Sequence, residues 1–280
     1  MYEVEDNSLK FDHGSIEEGL IAIASGKGGV GKSTVTVNLA TALAELGYKV
    51  GIIDADVRGF SVPRILGVTD KPKAVSENEI IPPEVKGIKT ISMGSFVGEN
   101  EPVIWRAPLL GGALEQFFKD VRWGELDYML LDLPPGTGDM PLNIMQKVPH
   151  SEILVVTTPQ ITATKVAGRI GAMAEKMDLR VLGVIENMAY YQCTECGNKD
   201  YIFGENGGKN LADFMETELL GQLPLISEVR RRSDTGNPIV FDEPEAEISK
   251  EFIKIAKRLA EREGGFDEKI EPLKLNMNAK

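Results

Sequence analysis

Nine consecutive residues, Gly26-Lys27-Gly28-Gly29-Val30-Gly31-Lys32-Ser33-Thr34, have the types and spacing to hold phosphate. They satisfy G-x-x-x-x-G-K-[ST] between a short β-branched run and a stretch of helical period, the context this motif requires. Glycines let the backbone curl until successive N–H groups aim at phosphate oxygens, and the start of the next helix adds positive potential. Lys32 is expected to neutralise β- and γ-phosphate charge and the Ser33 hydroxyl to ligate Mg²⁺, so that ATP with Mg²⁺ is the expected ligand.

A phosphate loop also needs carboxylates. An apolar run over Tyr128–Leu133 delivers Asp132 and is followed by Leu133-Pro134-Pro135-Gly136-Thr137-Gly138-Asp139. Asp132 is expected to face the metal directly or through water, and the Gly136 N–H to reach the γ-phosphate, which would make this segment sensitive to hydrolysis. A second run, Lys49–Asp54, ends in Asp54-Ala55-Asp56. Read as residues alone, either aspartate could equally cap a turn or helix. Asn187 follows the run Arg180–Glu186, and Pro224 follows Leu219–Leu223. Both stand where open α/β sheets bind ligands, beyond the carboxyl ends of the strands. Pro224 is placed to pack on a base.

The only two cysteines, Cys193 and Cys196, lie three apart in a polar loop. Three chemistries suit them. A redox pair normally opens a helix, whereas this loop follows a strand. Zinc needs four ligands, and thiolates at this spacing suit zinc or an iron–sulfur cluster equally. With His13 and His150 the only histidines, one chain supplies no second pair. A two-fold dimer would supply four thiolates.

Short apolar runs alternate with longer stretches of helical period, which predicts an α/β, doubly wound, mainly parallel sheet with helices on both faces. Strands are expected at Leu20–Ser25, Lys49–Asp54, Ile88–Met93, Tyr128–Leu133, Glu152–Thr157, Arg180–Glu186 and Leu219–Leu223. Helices are expected at Lys32–Leu46, Leu109–Val121, Ala163–Met177 and Glu245–Glu263. The last is amphipathic through Phe252, Ile253, Ala256, Leu259 and Ala260, mixed in charge, and expected to pack on the domain rather than on a membrane. The division expected is an acidic arm over 1–18, one domain over 19–263, and a polar tail over 264–280. A net charge of −12 argues against a dominant attraction to nucleic acid or an anionic membrane. Arg230-Arg231-Arg232 is the one basic run and is expected to be solvated surface. The first twenty residues read as neither a signal nor a transit peptide, no apolar run reaches membrane-spanning length, and two cysteines suit a reducing cytoplasm.

Lys27, directly after the first glycine, makes the loop resemble the deviant Walker A motif of the MinD/ParA/NifH class. The resemblance implies that this lysine reaches the phosphates held by a partner subunit, that Asp56 orients the attacking water, that Asp54 lies near the metal, and that Asn187 bonds the adenine edge. The deviant loop, D-A-D, D-L-P-P-G-T-G-D, T-T-P-Q (Thr157–Gln160), E-N-M (Glu186–Met188) and C-x-x-C, in this order, are together similar to the Mrp/ApbC family of iron–sulfur cluster carrier ATPases. Trp105-Arg106-Ala107-Pro108 matches that family's W-R-G-P with alanine in place of glycine. The likeness extends over about residues 18–262. It implies a homodimer in which Cys193 and Cys196 of both subunits hold a bridging 4Fe–4S cluster, passed on to apo iron–sulfur proteins. A spatial-organising switch of the MinD/ParA kind, and an ATPase with structural zinc at its dimer interface, are the competing readings.

Overall fold

The computed structural model describes residues 13–57, 59–96, 107–193 and 195–262. The arm as far as residue 12, the tail over 264–280, and Trp105-Arg106 lie outside the described residues.

The chain enters through β1 (Gly14–Ala24), α1 (Lys32–Glu45), β2 (Val50–Asp54) and α2 (Ser61–Leu66). A hairpin of β3 (Lys73–Ser76) and β4 (Glu79–Ile81) follows, then β5 (Glu84–Val85) and β6 (Ile88–Ser92). Next come α3 (Ala107–Lys119), β7 (Gly124–Asp132), α4 (Asp139–Lys147), β8 (Glu152–Thr157), α5 (Ile161–Lys176) and β9 (Val181–Glu186). A second hairpin, β10 (Tyr191–Gln192) with β11 (Lys199–Asp200), precedes α6 (Gly207–Phe214), β12 (Leu219–Gln222), α7 (Ser227–Thr235), α8 (Ile239–Asp242) and α9 (Glu247–Ala260).

Eight strands form one sheet in the order β12-β9-β8-β1-β7-β2-β6-β5. Every pairing is parallel except β5 with β6 at the edge. Alternation along β1 explains the two cores. Ile21 and Ile23 join one cluster with Val35, Leu39 and Leu43 of α1, while Leu20, Ala22 and Ala24 join another with Ala167 and Ile170 of α5. Helices thus cover both faces, and strands buried on both sides read as unbroken apolar runs. The expected doubly wound sheet is the one observed.

β1 is longer than its apolar run. Gly14–Ile16 pair with Gly124–Leu126 across an irregularity before Gly19, so the strand begins inside the segment expected to be an arm. Helix α9 buries Ile248, Phe252, Ile255, Ala256 and Leu259, and it packs on α1 and α8. Ile253 and Ala260 of the expected stripe are half-buried at its flank, and Ile255 lies deeper. No helix among the described residues is long and apolar enough to cross a membrane.

Candidate functional site

Sheet order puts the chemistry on one edge. Because β7 lies between β1 and β2, the register aligns Ile23 with Asp132 and Asp132 with Asp54. The loop after β1 therefore faces two carboxylates at neighbouring strand ends. Helix α1 begins at Lys32 behind an N-cap glycine, Gly31, with no side-chain cap and no acidic residue in its first turn. Its leading N–H groups have no partner within the helix, which is an anion-binding arrangement. Gly31 has φ +81°, and a Cβ there would overlap the Asn187 amide nitrogen, so glycine alone fits. Gly26 packs so closely on α5 that a Cβ would overlap the Ala167 nitrogen. Gly28 and Gly29 are exposed and Val30 is buried.

Lys32 and Asp132 are 5% and 0% exposed, with Nζ 2.7 Å from Oδ2. The approach is too far off line for a hydrogen bond, so the ammonium keeps its donors. Ser33 Oγ donates to Asp132 Oδ2 at 2.6 Å, and Thr36 Oγ1 donates to Oδ1 at 2.6 Å. A buried cation without an acceptor beside uncapped N–H groups fits a phosphate chain. The adjacent Ser33 hydroxyl and Asp132 carboxylate are the hard oxygen donors that Mg²⁺ takes. Thr34, half-buried, lines the neighbouring cavity.

Asp54, in register with Asp132, takes the capping role among its expected readings. Its Oδ1 accepts the Asp56 N–H at 3.1 Å, and its Oδ2 accepts the Val62 N–H at 3.3 Å and the Ser92 hydroxyl at 3.1 Å. Those bonds make it the cap that shapes the segment from Asp56 to α2, the alternative that an aspartate at a strand end always carries. Burial, and then the charge of Asp132, push its pKa up to about 8, with Lys32 opposing. Asp56 lies 9% exposed at the start of that segment. Gly136 (φ +102°) does not present its N–H to the loop's centre: it donates to Ser25 O at 2.8 Å, tying the Pro134–Gly138 segment to the phosphate loop.

A cavity of about 500 Å³ opens beside Gly31 and Thr34 and is walled by Met188, Pro224, Val229 and Arg230. Pro224 lines the cavity just beyond the end of β12. Asn187 lines the same cavity, but its Nδ2 donates to Val30 O at 2.8 Å, so it braces the phosphate loop rather than pointing freely at a base. Of the basic run, Arg230 and Arg231 are exposed and paired with Asp234 and Glu228. Arg232 is held by Glu228, Asp242 and Glu243. The run is neutralised locally. A larger cavity, about 960 Å³, opens at the opposite ends of β9 and β12 near Arg180, Glu218 and Arg258. It touches no residue of the phosphate loop, so the smaller cavity is the nucleotide candidate.

Cys193 and Cys196 occupy the turn of the β10–β11 hairpin. The Cys193 N–H donates to Asn198 O and the Gly197 N–H to Cys193 O, both at 2.9 Å, with Gly197 at φ +71°. Both thiols are free; Cys193 is half-buried and Cys196 exposed. The backbone N–H of Cys196, then that of Glu195 and the Cys196 thiol, hold the Cys193 thiol below the usual range, which favours thiolate. Among the described residues no group of three or more His, Cys, Asp or Glu side chains could hold a metal. The hairpin's root is joined to the nucleotide side by two backbone bonds, Ala189 N–H to Leu223 O and Leu225 N–H to Tyr190 O.

Sequence reasoning missed Thr36 and Ser92, and gave Gln160, the end of the T-T-P-Q motif, no role of its own. Thr36 carried a signal, since it lies one turn from Ser33 on the same helix face. Ser92 and Gln160 bond residues far away in sequence, and no local pattern announces those partners. Lys27, half-buried, donates from Nζ to Gln160 Oε1 at 2.7 Å.

Residues 17–260 match the ParA family model described as NUBPL iron-transfer P-loop NTPase. An iron-sulfur cluster carrier protein of Bacillus subtilis is 51% identical over 236 residues, 84% of this chain. One of Pyrococcus horikoshii is 45% identical over 254 residues, covering 86% of this chain and 85% of its own length. The chain spans just under two thirds of several bacterial relatives, 66% of the Bacillus protein and 65% of one from Mycobacterium tuberculosis. Among solved structures, a nucleotide-binding protein from Archaeoglobus fulgidus in complex with ADP has a TM-score of 0.71 and 40% identity, over 82% of this chain and 90% of its own. The cell division ATPase MinD of Pyrococcus furiosus has a TM-score of 0.64 and 26% identity, over 86% and 98%.

Proposed function

This chain belongs to the ParA-type family of iron-transfer P-loop NTPases, and from that premise we propose that it is an ATP-hydrolysing iron–sulfur cluster carrier that works as a homodimer. The observation that carries the reading is the cysteine hairpin: two free thiols at one turn, with no further metal-binding group beside them among the described residues. Tetrahedral and cubane sites take four protein ligands. Two protomers about a two-fold axis supply Cys193 and Cys196 twice and complete the set. The cargo is a 4Fe–4S cluster, shared between protomers and handed to apo-proteins in the reducing cytoplasm.

In the nucleotide site, Lys32 and the first turn of α1 hold the β- and γ-phosphates of ATP, and Pro224 packs on the base. Ser33 and Asp132 hold Mg²⁺, which when bound neutralises phosphate charge. Asp56 orients the attacking water, and Lys27 reaches the phosphates of the partner's nucleotide. Asn187 stands at the adenine edge while bracing Val30. Gly136 exchanges Ser25 for the γ-phosphate, which makes the Pro134–Gly138 segment the switch. The hairpin's two backbone bonds to Leu223 and Leu225 support a route from the base side to the cysteines.

A transfer assay tests this reading. Protein loaded anaerobically with cluster is mixed with an apo-ferredoxin, and recovery of the acceptor's spectrum is followed with and without Mg-ATP. Transfer by the unaltered protein, absent from Cys193→Ala and Cys196→Ala, is expected. Equal recovery with the cysteine variants would defeat the carrier reading.

A further inference from the structure

Two lysines serve the phosphate loop, and their surroundings differ. Lys32 is buried against the carboxylate of Asp132 at 2.7 Å. Lys27 enters no ion pair among the described residues and is tied instead to a neutral acceptor, the Gln160 amide oxygen, at 2.7 Å. An amide fixes the direction of an ammonium without cancelling its charge, whereas a carboxylate would do both.

The acceptor is itself firmly placed. Gln160 is the N-cap residue of α5, and its carbonyl accepts the Ala163 N–H at 2.8 Å and the Thr164 N–H at 3.1 Å. Before it, Pro159 is pressed by Gly207 of α6, where no side chain would fit. On the lysine's own side, Gly26 is packed on Ala167 of α5. Both ends of the contact are anchored to one helix, so only the two side chains can change partner. The next residue, Ile161, is 70% exposed, an apolar group adjoining Gln160 that another molecule could cover.

We propose that Gln160 is a positioning residue for Lys27: its amide holds the lysine ready in the separate protomer and yields it, still fully charged, to the phosphates of the partner's nucleotide when two protomers close. The inference rests on the ATPase reading above. A neutral acceptor is the chemistry this task needs. A carboxylate would compete with phosphate for the ammonium, and an apolar residue would leave the long side chain undirected.

The test is a double-mutant cycle with Gln160→Glu and Lys27→Ala, reading Mg-ATP turnover and the affinity for a fluorescent ATP analogue. Gln160→Glu is expected to lower turnover about tenfold, within the range of coupling between contacting residues, with analogue affinity changed less than about twofold. Raised salt should restore part of the loss by screening the new Lys27–carboxylate pair. In the Lys27→Ala background the same substitution should change nothing further. Loss of the same size in both backgrounds would overturn the proposal, because Gln160 would then act through its cap or its packing. A wild-type protein without ATP turnover would defeat the ATPase reading instead. The cycle is then read on the nuclear magnetic resonance signal of the Lys27 ammonium, expected to be protected in the nucleotide-free protein and lost in Gln160→Ala. An ammonium equally protected in that variant would overturn the contact itself.

Discussion

The phosphate loop and the cysteine hairpin are built on opposite plans. Around the loop, strand ends of a central sheet converge, hydroxyls are already bonded to buried carboxylates, and a buried ammonium is ion-paired with one of them. The hairpin has two short strands and two free cysteines, one of them exposed, with no third metal-binding side chain grouped with them among the described residues. Parallel neighbours force side chains together, because register aligns Asp54, Asp132 and Ile23 whatever else happens. A lone two-residue ladder forces nothing beyond its own turn. A phosphate loop whose cis groups assemble within one protomer, and a cysteine pair proposed to be completed by a second protomer, should therefore fail separately.

The largest effects come from breaking one region and watching the other. Lys32→Ala removes the phosphate-facing cation and the counter-ion of buried Asp132. It should lower ATP affinity more than about a hundredfold and destabilise the protein by about 3 kcal/mol, as broken buried pairs do. Isothermal titration and denaturant unfolding read these two numbers, and cluster loading should persist in whatever fraction folds. Cys193→Ala and Cys196→Ala should do the converse, leaving ATP affinity within about twofold. Lost ATP affinity in the cysteine variants would show that the regions are not separable.

Within the nucleotide region, the two carboxylates at the loop should separate as well. Asp132→Ala should raise the Mg²⁺ concentration needed for half-maximal turnover, whereas Asp56→Ala should slow turnover by about two orders of magnitude and leave ATP bound. Steady-state rates over a Mg²⁺ series distinguish them, and an equal loss of ATP affinity in both would reverse the assignment.

A smaller effect probes the brace between Asn187 and the loop. Gly31→Ala places a side chain at φ +81° and against the Asn187 amide, and should cost about 1–3 kcal/mol. Adding Asn187→Ala should return only the steric part. Full recovery would mean that the left-handed backbone carries no strain.

The smallest effect is a pH dependence. The folded pKa of Asp54 is raised to about 8, so its proton is held more tightly in the folded than in the unfolded chain. Its contribution to stability is fully present below the unfolded carboxylate value and is lost as pH rises toward the folded one. Asp54→Asn should therefore gain stability relative to wild type between pH 5 and pH 8, in that direction only. Denaturant midpoints at the two pH values measure it, and a gap that narrows with rising pH would contradict the burial argument.

Legibility in the sequence followed the same division. Glu152–Thr157 is read at both ends because a strand buried on both faces must be apolar throughout. β1 was cut short because Gly14 to Gly19 carries Glu17 and Glu18, and pairing with β7 rather than composition extends it. Helices α2, α4, α6, α7 and the four-residue α8 were not expected. Pro63 and Pro141 interrupt two of them, Gly207-Gly208 open the third, and α7 has three arginines and no buried residue, so no apolar period announces it. The residue types of the loop, of Asp132 and of the cysteine pair were legible, because phosphate, Mg²⁺ and soft metals each admit few side chains. Their partners were not. Asp54 bonded to Ser92, Gly136 bonded to Ser25 and Asn187 bonded to Val30 are long-range contacts that only the assembled sheet edge creates.

Iron, sulfide and mass, measured together after anaerobic reconstitution, decide whether two protomers share one cluster. A dimer with about four irons and four sulfides, half a cluster per chain, is expected, with none in Cys193→Ala or Cys196→Ala. Iron near zero in the unaltered protein, or unchanged iron in either variant, would contradict it. One zinc per dimer in place of iron would make the hairpin a structural metal site.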